Sequence, residues 1–265
     1  MMLTVEQLFD GLWQDYLSHT PSAQPIHELL GGGADIINDH IALRTFNIGP
    51  VTVDALAQHF LDLGYFEAGQ YDFEAKKLKA KHFQHANSHY PKVFISELLV
   101  EEMPTEVQTI IKRMVANVNP ADVSKPEFLY SGTHWQVSKD EYQLLAQRSE
   151  YAAWMSVWGY RANHFTVSVN ELPGFETLEQ VNQALKDGGF TLNASGGEIK
   201  GSKAVLLEQS STMADSQLVQ LTDAKLDIPS CFYEFALRHE DADGRLYQGF
   251  VAASADKIFE STNAN

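Results

Sequence analysis

The strongest constraint on this chain of 265 residues is that its second half repeats the pattern of its first. Asp39-His40-Ile41-Ala42-Leu43-Arg44-Thr45 and Asn163-His164-Phe165-Thr166-Val167-Ser168-Val169 each set an acid or amide, then a histidine, at the head of an alternating segment. A helical pattern follows each, over Val53 to Gly64 and Leu178 to Gly189, and in both a glycine closes it before an aromatic residue. Strand-like segments come next, ending in Pro91-Lys92-Val93-Phe94-Ile95-Ser96-Glu97 and Pro229-Ser230-Cys231-Phe232-Tyr233-Glu234. Each unit reads as strand, helix and three strands, and two such units imply a pair of modules packed about a pseudo-twofold axis. The interval from His40 to Glu97 is 57 residues and that from His164 to Glu234 is 70, so the second copy carries extra chain.

The duplication predicts an α+β fold in which two strand-helix-three-strand modules share one mixed sheet, with extra helices around it. A helical segment (1–33) precedes the first module (34–103), a helical insertion (104–158) separates the copies, and the second module with a C-terminal segment (159–265) completes one functional domain. Within 1–33, apolar residues at 5, 8, 9, 12, 13, 16 and 17 mark one helix face, with Thr4 and Gln7 as a capping box. A short helix follows around Ile26 to Leu30, and Gly31-Gly32-Gly33 reads as a joint because no P-loop lysine follows it. Pro104 to Asn117 and Tyr142 to Ser156 read as helices, and the aromatic crowd Tyr151, Trp154, Trp158 and Tyr160 as packing.

The composition excludes several classes of partner. A net charge of −16 disfavours nucleic acid and anionic membranes, which reward a positive surface. No stretch is long and apolar enough to span a bilayer, and the lone cysteine, Cys231, rules out an intrachain disulfide and a thiolate zinc cluster. These features predict a cytoplasmic protein that acts on a small molecule.

The repeat also concentrates chemistry. On a strand, His40, Ala42 and Arg44 share one face while Ile41, Leu43 and Thr45 share the other. The Cα atoms of His40 and Arg44 lie roughly 13 Å apart at strand rise, within reach of a long arginine leaning towards a ligand at the histidine. A core histidine beside a snorkelling arginine is the competing reading. Symmetry brings His164 to the place equivalent to His40, so both face one cavity. Glu234, surrounded by aromatic residues, needs either a cation or a salt bridge to Arg238 or Arg245. Two histidines and one carboxylate leave adjacent coordination positions open, the arrangement of non-haem Fe(II) oxygenases, although manganese or zinc suits the same ligands.

Other candidates are weaker. His82, His85 and His89 have metal-compatible spacing, but Lys76, Lys77, Lys79 and Lys81 beside them repel a cation. Glu97 is the apparent repeat-mate of Glu234 and a candidate fourth ligand, as in metal sites that polarise a carbonyl without oxygen. Gly249 to Ala253 reads as a strand leading into a short helix N-capped by Ser254, whose free amides would favour an anion. Cys231 reads as packing.

Asp39-His40-Ile41-Ala42-Leu43-Arg44-Thr45-Phe46, Pro91-Lys92-Val93-Phe94-Ile95-Ser96-Glu97-Leu98, Asn163-His164-Phe165-Thr166 and Tyr233-Glu234-Phe235-Ala236-Leu237-Arg238 resemble, in order, the motifs of the 2-oxoadipate dioxygenase/decarboxylase family. The resemblance implies a vicinal-oxygen-chelate, glyoxalase-like fold and Fe(II) held by His40, His164 and Glu234. It implies that Arg44 contacts a substrate carboxylate and that Ala253 and Ser254 form a further substrate-binding stretch. The implied reaction converts a 2-oxo dicarboxylic acid resembling 2-oxoadipate, with O2, into a 2-hydroxy acid and CO2. This chain is shorter than larger members, lacking a long insertion after the glutamate-bearing strand. Two alternatives stay open: a metal-dependent lyase, isomerase or hydrolase that uses no oxygen, and a small-molecule-binding module without turnover.

Overall fold

The computed structural model describes residues 3–32 and 35–262. In chain order the elements are α1 (Val5–His19), α2 (Ala23–Gly31), β1 (Asn38–Phe46), α3 (Val53–Leu61), β2 (Tyr65–Phe73), β3 (Leu78–His85) and β4 (Lys92–Leu98). Four helices follow: α4 (Thr105–Ala116), α5 (Pro120–Val123), α6 (Lys139–Arg148) and α7 (Glu150–Trp158). The second half holds β5 (Ala162–Ser168), α8 (Leu178–Asp187), β6 (Lys200–Ser202), β7 (Leu207–Ser211), β8 (Ser216–Gln220), β9 (Lys225–Pro229), β10 (Phe232–Arg238) and α9 (Ala252–Ile258).

Eight strands form one mixed sheet in the order β2-β3-β4-β1-β5-β10-β7-β6, and the duplication is explicit in its pairing. β1 runs parallel to β4 as β5 does to β10, and β3 and β7 flank these pairs antiparallel. The halves join where β1 and β5 pair antiparallel, setting His40 opposite Thr166 and Ala42 opposite His164. The two histidines are therefore diagonal neighbours on one face. The longer second interval is explained by the β8–β9 hairpin, a separate two-stranded sheet inserted between β7 and β10.

Central position accounts for the sequence of these strands. Every residue of β5 and β10 is buried, as is β1 after Asn38, because both faces of the sheet are covered there. On the outer face α1 presents Leu8, Leu12 and Tyr16, all fully buried, with the Tyr16 hydroxyl donating to the Phe232 carbonyl. The predicted Thr4–Gln7 capping box is present. Gly32 ends α2 as a left-handed C-cap, which glycine adopts without steric penalty, while Gly33 lies outside the described residues.

The sequence patterns misplace some boundaries. Tyr142 to Ser156 is two helices, because Ser149 turns extended and its side chain caps α7. β2, β6, β8 and β9 lack a clear apolar alternation, since they lie at sheet edges or in the hairpin with many residues partly exposed. Glu97 is not the symmetry mate of Glu234. Glu234 lies opposite Thr166, two residues beyond His164; the corresponding position opposite Ala42, two beyond His40, is Phe94. Glu97 pairs with Thr45 and its carboxylate accepts from the Val53 amide at 2.9 Å, capping α3. The two halves thus supply two histidines but one carboxylate. Replacing Glu97 with alanine should cost about 1 kcal/mol of stability, the usual loss of a helix cap, in denaturant unfolding. Metal affinity should not change, and its loss would return Glu97 to the ligand set.

Candidate metal centre

His40 on β1, His164 on β5 and Glu234 on β10 converge, each offering one ligand atom within 4.8 Å of the others. Among the described residues no other group of three metal-ligating side chains does so. The His164 Nε2 to Glu234 Oε2 distance is 3.0 Å and that from His40 Nε2 to Glu234 Oε1 is 3.6 Å. All three residues are buried, and the imidazoles meet nearly edge to face at 83°.

The neighbours of each histidine fix its tautomer. Asp39 Oδ1 lies 2.8 Å from His40 Nδ1, and a carboxylate only accepts, so Nδ1 carries the proton and Nε2 is left as a lone pair. Asn163 Oδ1 stands in the same relation to His164 Nδ1 at 3.1 Å. The Thr166 hydroxyl lies 3.1 Å from His40 Nε2. Asp39 is itself gripped by Arg238, whose Nε and Nη2 reach its two oxygens at 2.6 and 2.8 Å. Burial alone would raise the Asp39 pKa, but Arg238 and His40 hold it well below the ordinary carboxylate value. The remaining Arg238 nitrogen donates to the carbonyls of Tyr247 and Gly249.

Glu234 has no arginine or lysine partner among the described residues, because Arg238 is taken by Asp39 and Arg245 pairs with Asp241 and Asp243. Burial works against its charge, but His40, His164 and a 2.6 Å hydrogen bond from Gln209 leave its pKa lowered. Burial lowers the pKa of His164 and favours the neutral ring. Glu234 Oε2 has no hydrogen-bond partner although it is fully buried. Two lone-pair nitrogens and an unpaired carboxylate oxygen facing one another repel unless a cation lies between them, and this donor set suits a divalent metal.

The cavity beside the triad has a volume of about 20 Å³, room for an ion or a single water. Phe94, Phe250, Ala255, Ile258 and Phe259 wall it, with the Phe250 ring 4.8 Å from that of His40. The expected Ser254 cap is corrected here. Val251 is the N-cap of α9, and Ser254 lies buried inside the helix with its amide bonded to the Val251 carbonyl. The predicted strand before it does not form, because Arg238 and Tyr71 take the hydrogen bonds of Tyr247, Gly249 and Phe250. Ala253 is exposed, and the α9 residues that reach the cavity are Ala255 and Ile258.

Arg44 is buried further along the His40 face. Its guanidinium carbon lies 4.9 Å from the ring centres of both Tyr151 and Trp154 and 5.6 Å from that of Phe259. Two of the aromatic residues expected merely to pack therefore cage this cation. Its Nη1 donates to Glu150 at 3.0 Å and its Nη2 to Thr262 at 3.2 Å, while Nε has no partner. Phe259 also walls the triad cavity, so one ring borders both Arg44 and that cavity. His82 takes no part in a second site: Tyr71 and Gln84 occupy its nitrogens, and burial, aided by Arg238 and Lys92, lowers its pKa to about 4. Gln209, Phe250 and Glu150 carry no motif that marks them in the sequence. The acid or amide before each histidine was visible in the repeat, and the structure gives it the role of orienting the ring.

Replacing Asp39 with asparagine, the residue type that serves His164, should cost about 3–5 kcal/mol of stability, because the buried Arg238 loses its counter-charge, and should lower divalent-metal affinity of the folded protein by about 10–100-fold in a competition titration. Unchanged affinity would show that Asp39 does not orient His40.

The profile of the family described as 2-oxoadipate dioxygenase/decarboxylase matches residues 12–242. An Arabidopsis thaliana protein described as chloroplastic 2-oxoadipate dioxygenase/decarboxylase is 36% identical, with 93% of this chain and 74% of that protein covered. A crystal structure from Shewanella frigidimarina NCIMB 400, described as a hydrolase, is 61% identical with a TM-score of 0.92, covering 96% of this chain and all of that one. The Oryza sativa hydroxyglutarate synthase in complex with 2-oxoadipate is 34% identical with a TM-score of 0.89, covering 97% and 91% of the two chains. A glyoxalase-superfamily protein from Ralstonia eutropha JMP134, 20% identical with a TM-score of 0.74 over 94% of this chain and 86% of its own, shares the fold. The triad of potential metal ligands therefore sits in a glyoxalase-like duplicated fold, and the chain belongs to the 2-oxoadipate dioxygenase/decarboxylase family.

Proposed function

We propose that this protein oxidatively decarboxylates a 2-oxo dicarboxylic acid of the 2-oxoadipate type, with Fe(II) held by His40, His164 and Glu234. The observation that carries this reading is the fully buried Glu234, which has no arginine or lysine partner among the described residues and faces the Nε2 atoms of two histidines. Fe(II) bound there would supply the redox chemistry and the adjacent positions needed to bring O2 and a 2-oxo acid together.

The chain's own residues do the rest. Asp39 and Asn163 keep both imidazoles in the ligating tautomer, and Gln209 fixes the carboxylate from the other side. The phenylalanine walls exclude water, which protects reactive species and strengthens every charge interaction inside. Arg44 orients the carboxylate of the substrate distal to the keto group through charge-assisted bonds. The family resemblance alone supports Ala253 and Ser254 as a substrate contact, since they lie in the α9 turn just before Ala255 and do not line the cavity. For 2-oxoadipate the balance is one O2 consumed and C1 lost as CO2. C2 becomes the new carboxylate and takes one oxygen atom, and C3 is hydroxylated with the other, giving 2-hydroxyglutarate. A single cysteine, buried so that its thiol pKa is pushed up to about 12, fits a reducing compartment such as the cytoplasm.

Iron-loaded protein given 2-oxoadipate should take up one O2 per CO2 released, and 18O2 should label both the hydroxyl and one carboxylate oxygen of the product. His40→Ala should abolish metal binding and turnover together. Equal turnover without oxygen would overturn the reading and favour the hydrolase description of the Shewanella frigidimarina relative.

A further inference from the structure

Arg44 is already paired with a carboxylate from its own chain. We propose that Glu150 is an internal stand-in for the substrate's distal carboxylate. It holds Arg44 until a dicarboxylic 2-oxo acid displaces it, so that the site opens to diacids and stays closed to monoacids. This inference rests on the proposed function for its substrate and on three independent observations for its geometry.

The first is the asymmetry of the pair. The Arg44 side chain is 1% exposed and that of Glu150 is 27% exposed, so the arginine is fixed and the glutamate can leave. The buried Arg44 Nε has no partner, which leaves hydrogen-bonding capacity that Glu150 does not use. The second is that Glu150 has somewhere to go. It lines a surface cleft of about 590 Å³ together with Trp154 and Thr262. It also lines a cleft of about 170 Å³ beside Lys76, Lys77 and Arg148, whose charges would receive a displaced carboxylate. The third is the ring that borders both Arg44 and the triad cavity. The cavity beside the ligands, about 20 Å³, has no room for a six-carbon diacid, so Phe259 must shift when one binds. Phe259 and Thr262 belong to one short turn, and the Thr262 hydroxyl contacts the Glu150 carboxylate as well as Arg44. Movement of that turn therefore joins the triad cavity to Arg44 and loosens Glu150 in the same step.

A diacid restores the charge pairing of Arg44 with its own distal carboxylate. A monoacid of the same length cannot, and opening the latch for it would leave a buried guanidinium unpaired, which is costly. Discrimination then comes from the penalty on the wrong ligand as much as from attraction to the right one.

Anaerobic calorimetry on the full, iron-loaded chain tests this with 2-oxoadipate and 2-oxohexanoate, which lacks the distal carboxylate. Glu150→Gln should bind 2-oxoadipate about tenfold more tightly than the unaltered protein, since no charged latch remains to be displaced, and 2-oxohexanoate should gain by a similar factor for the same reason. Glu150→Asp keeps the charge but shortens its reach, and should move both affinities in the same direction by less. Unchanged or weaker binding of 2-oxoadipate in both variants would overturn the inference and leave Glu150 a plain counter-ion. Failure of the unaltered protein to consume O2 with 2-oxoadipate would instead strike the proposed activity, and the two affinities would still decide the role of Glu150.

Discussion

The structure turns on three lone-pair donors held facing one another in a dry core. Nothing in the hydrophobic effect favours such an arrangement, and each group taken alone would be cheaper in water. It persists because a chain of charged hydrogen bonds, from the Tyr247 and Gly249 carbonyls through Arg238 to Asp39 and His40, over-determines the position and tautomer of one histidine. Asn163 and Gln209 serve His164 and Glu234 in the same way. A divalent ion bound there would remove the mutual repulsion and so couple metal binding to folding through electrostatics.

The symmetry of the duplicated sheet explains how one site arises from two similar modules. The antiparallel β1–β5 seam brings the two histidines together, and both modules present the equivalent position on their last strand. The second module has Glu234 there and the first Phe94, so the second completes the donor triad and the first supplies a hydrophobic wall. The cavity beside the triad is closed by that wall and by the C-terminal segment. That segment brings Phe250, Ile258, Phe259 and Thr262 over the same face, and it therefore governs access to both the triad and Arg44.

Much of this was legible in the sequence because it is written in periodic patterns. The histidine-headed strands, the glycine-closed helices and the Thr4 cap each follow from local spacing, and the repeat fixes which histidines meet. Glu97 shows where spacing fails: counting from the proline gives the wrong mate for Glu234, since the register of β4 is set by its hydrogen bonds with β1. Tyr151 and Trp154 have the composition of core residues and are core residues, yet the cation they surround comes from a strand more than a hundred positions earlier. Gln209, Glu150 and Phe250 act through contacts distant in sequence, which no local pattern encodes. Ser254 was misplaced for a related reason: the side chain of Arg238 ties down the segment that alternation had marked as a strand.

If Glu234 joins His40 and His164 in holding iron, its loss must empty the site. Metal analysis of the protein and of Glu234→Gln, each equilibrated anaerobically with Fe(II) and then freed of excess metal, decides this. One tightly held iron per chain is expected in the unaltered protein and none in the variant, with both still folded. Equal iron retention in the two, or no retention in either, would contradict it.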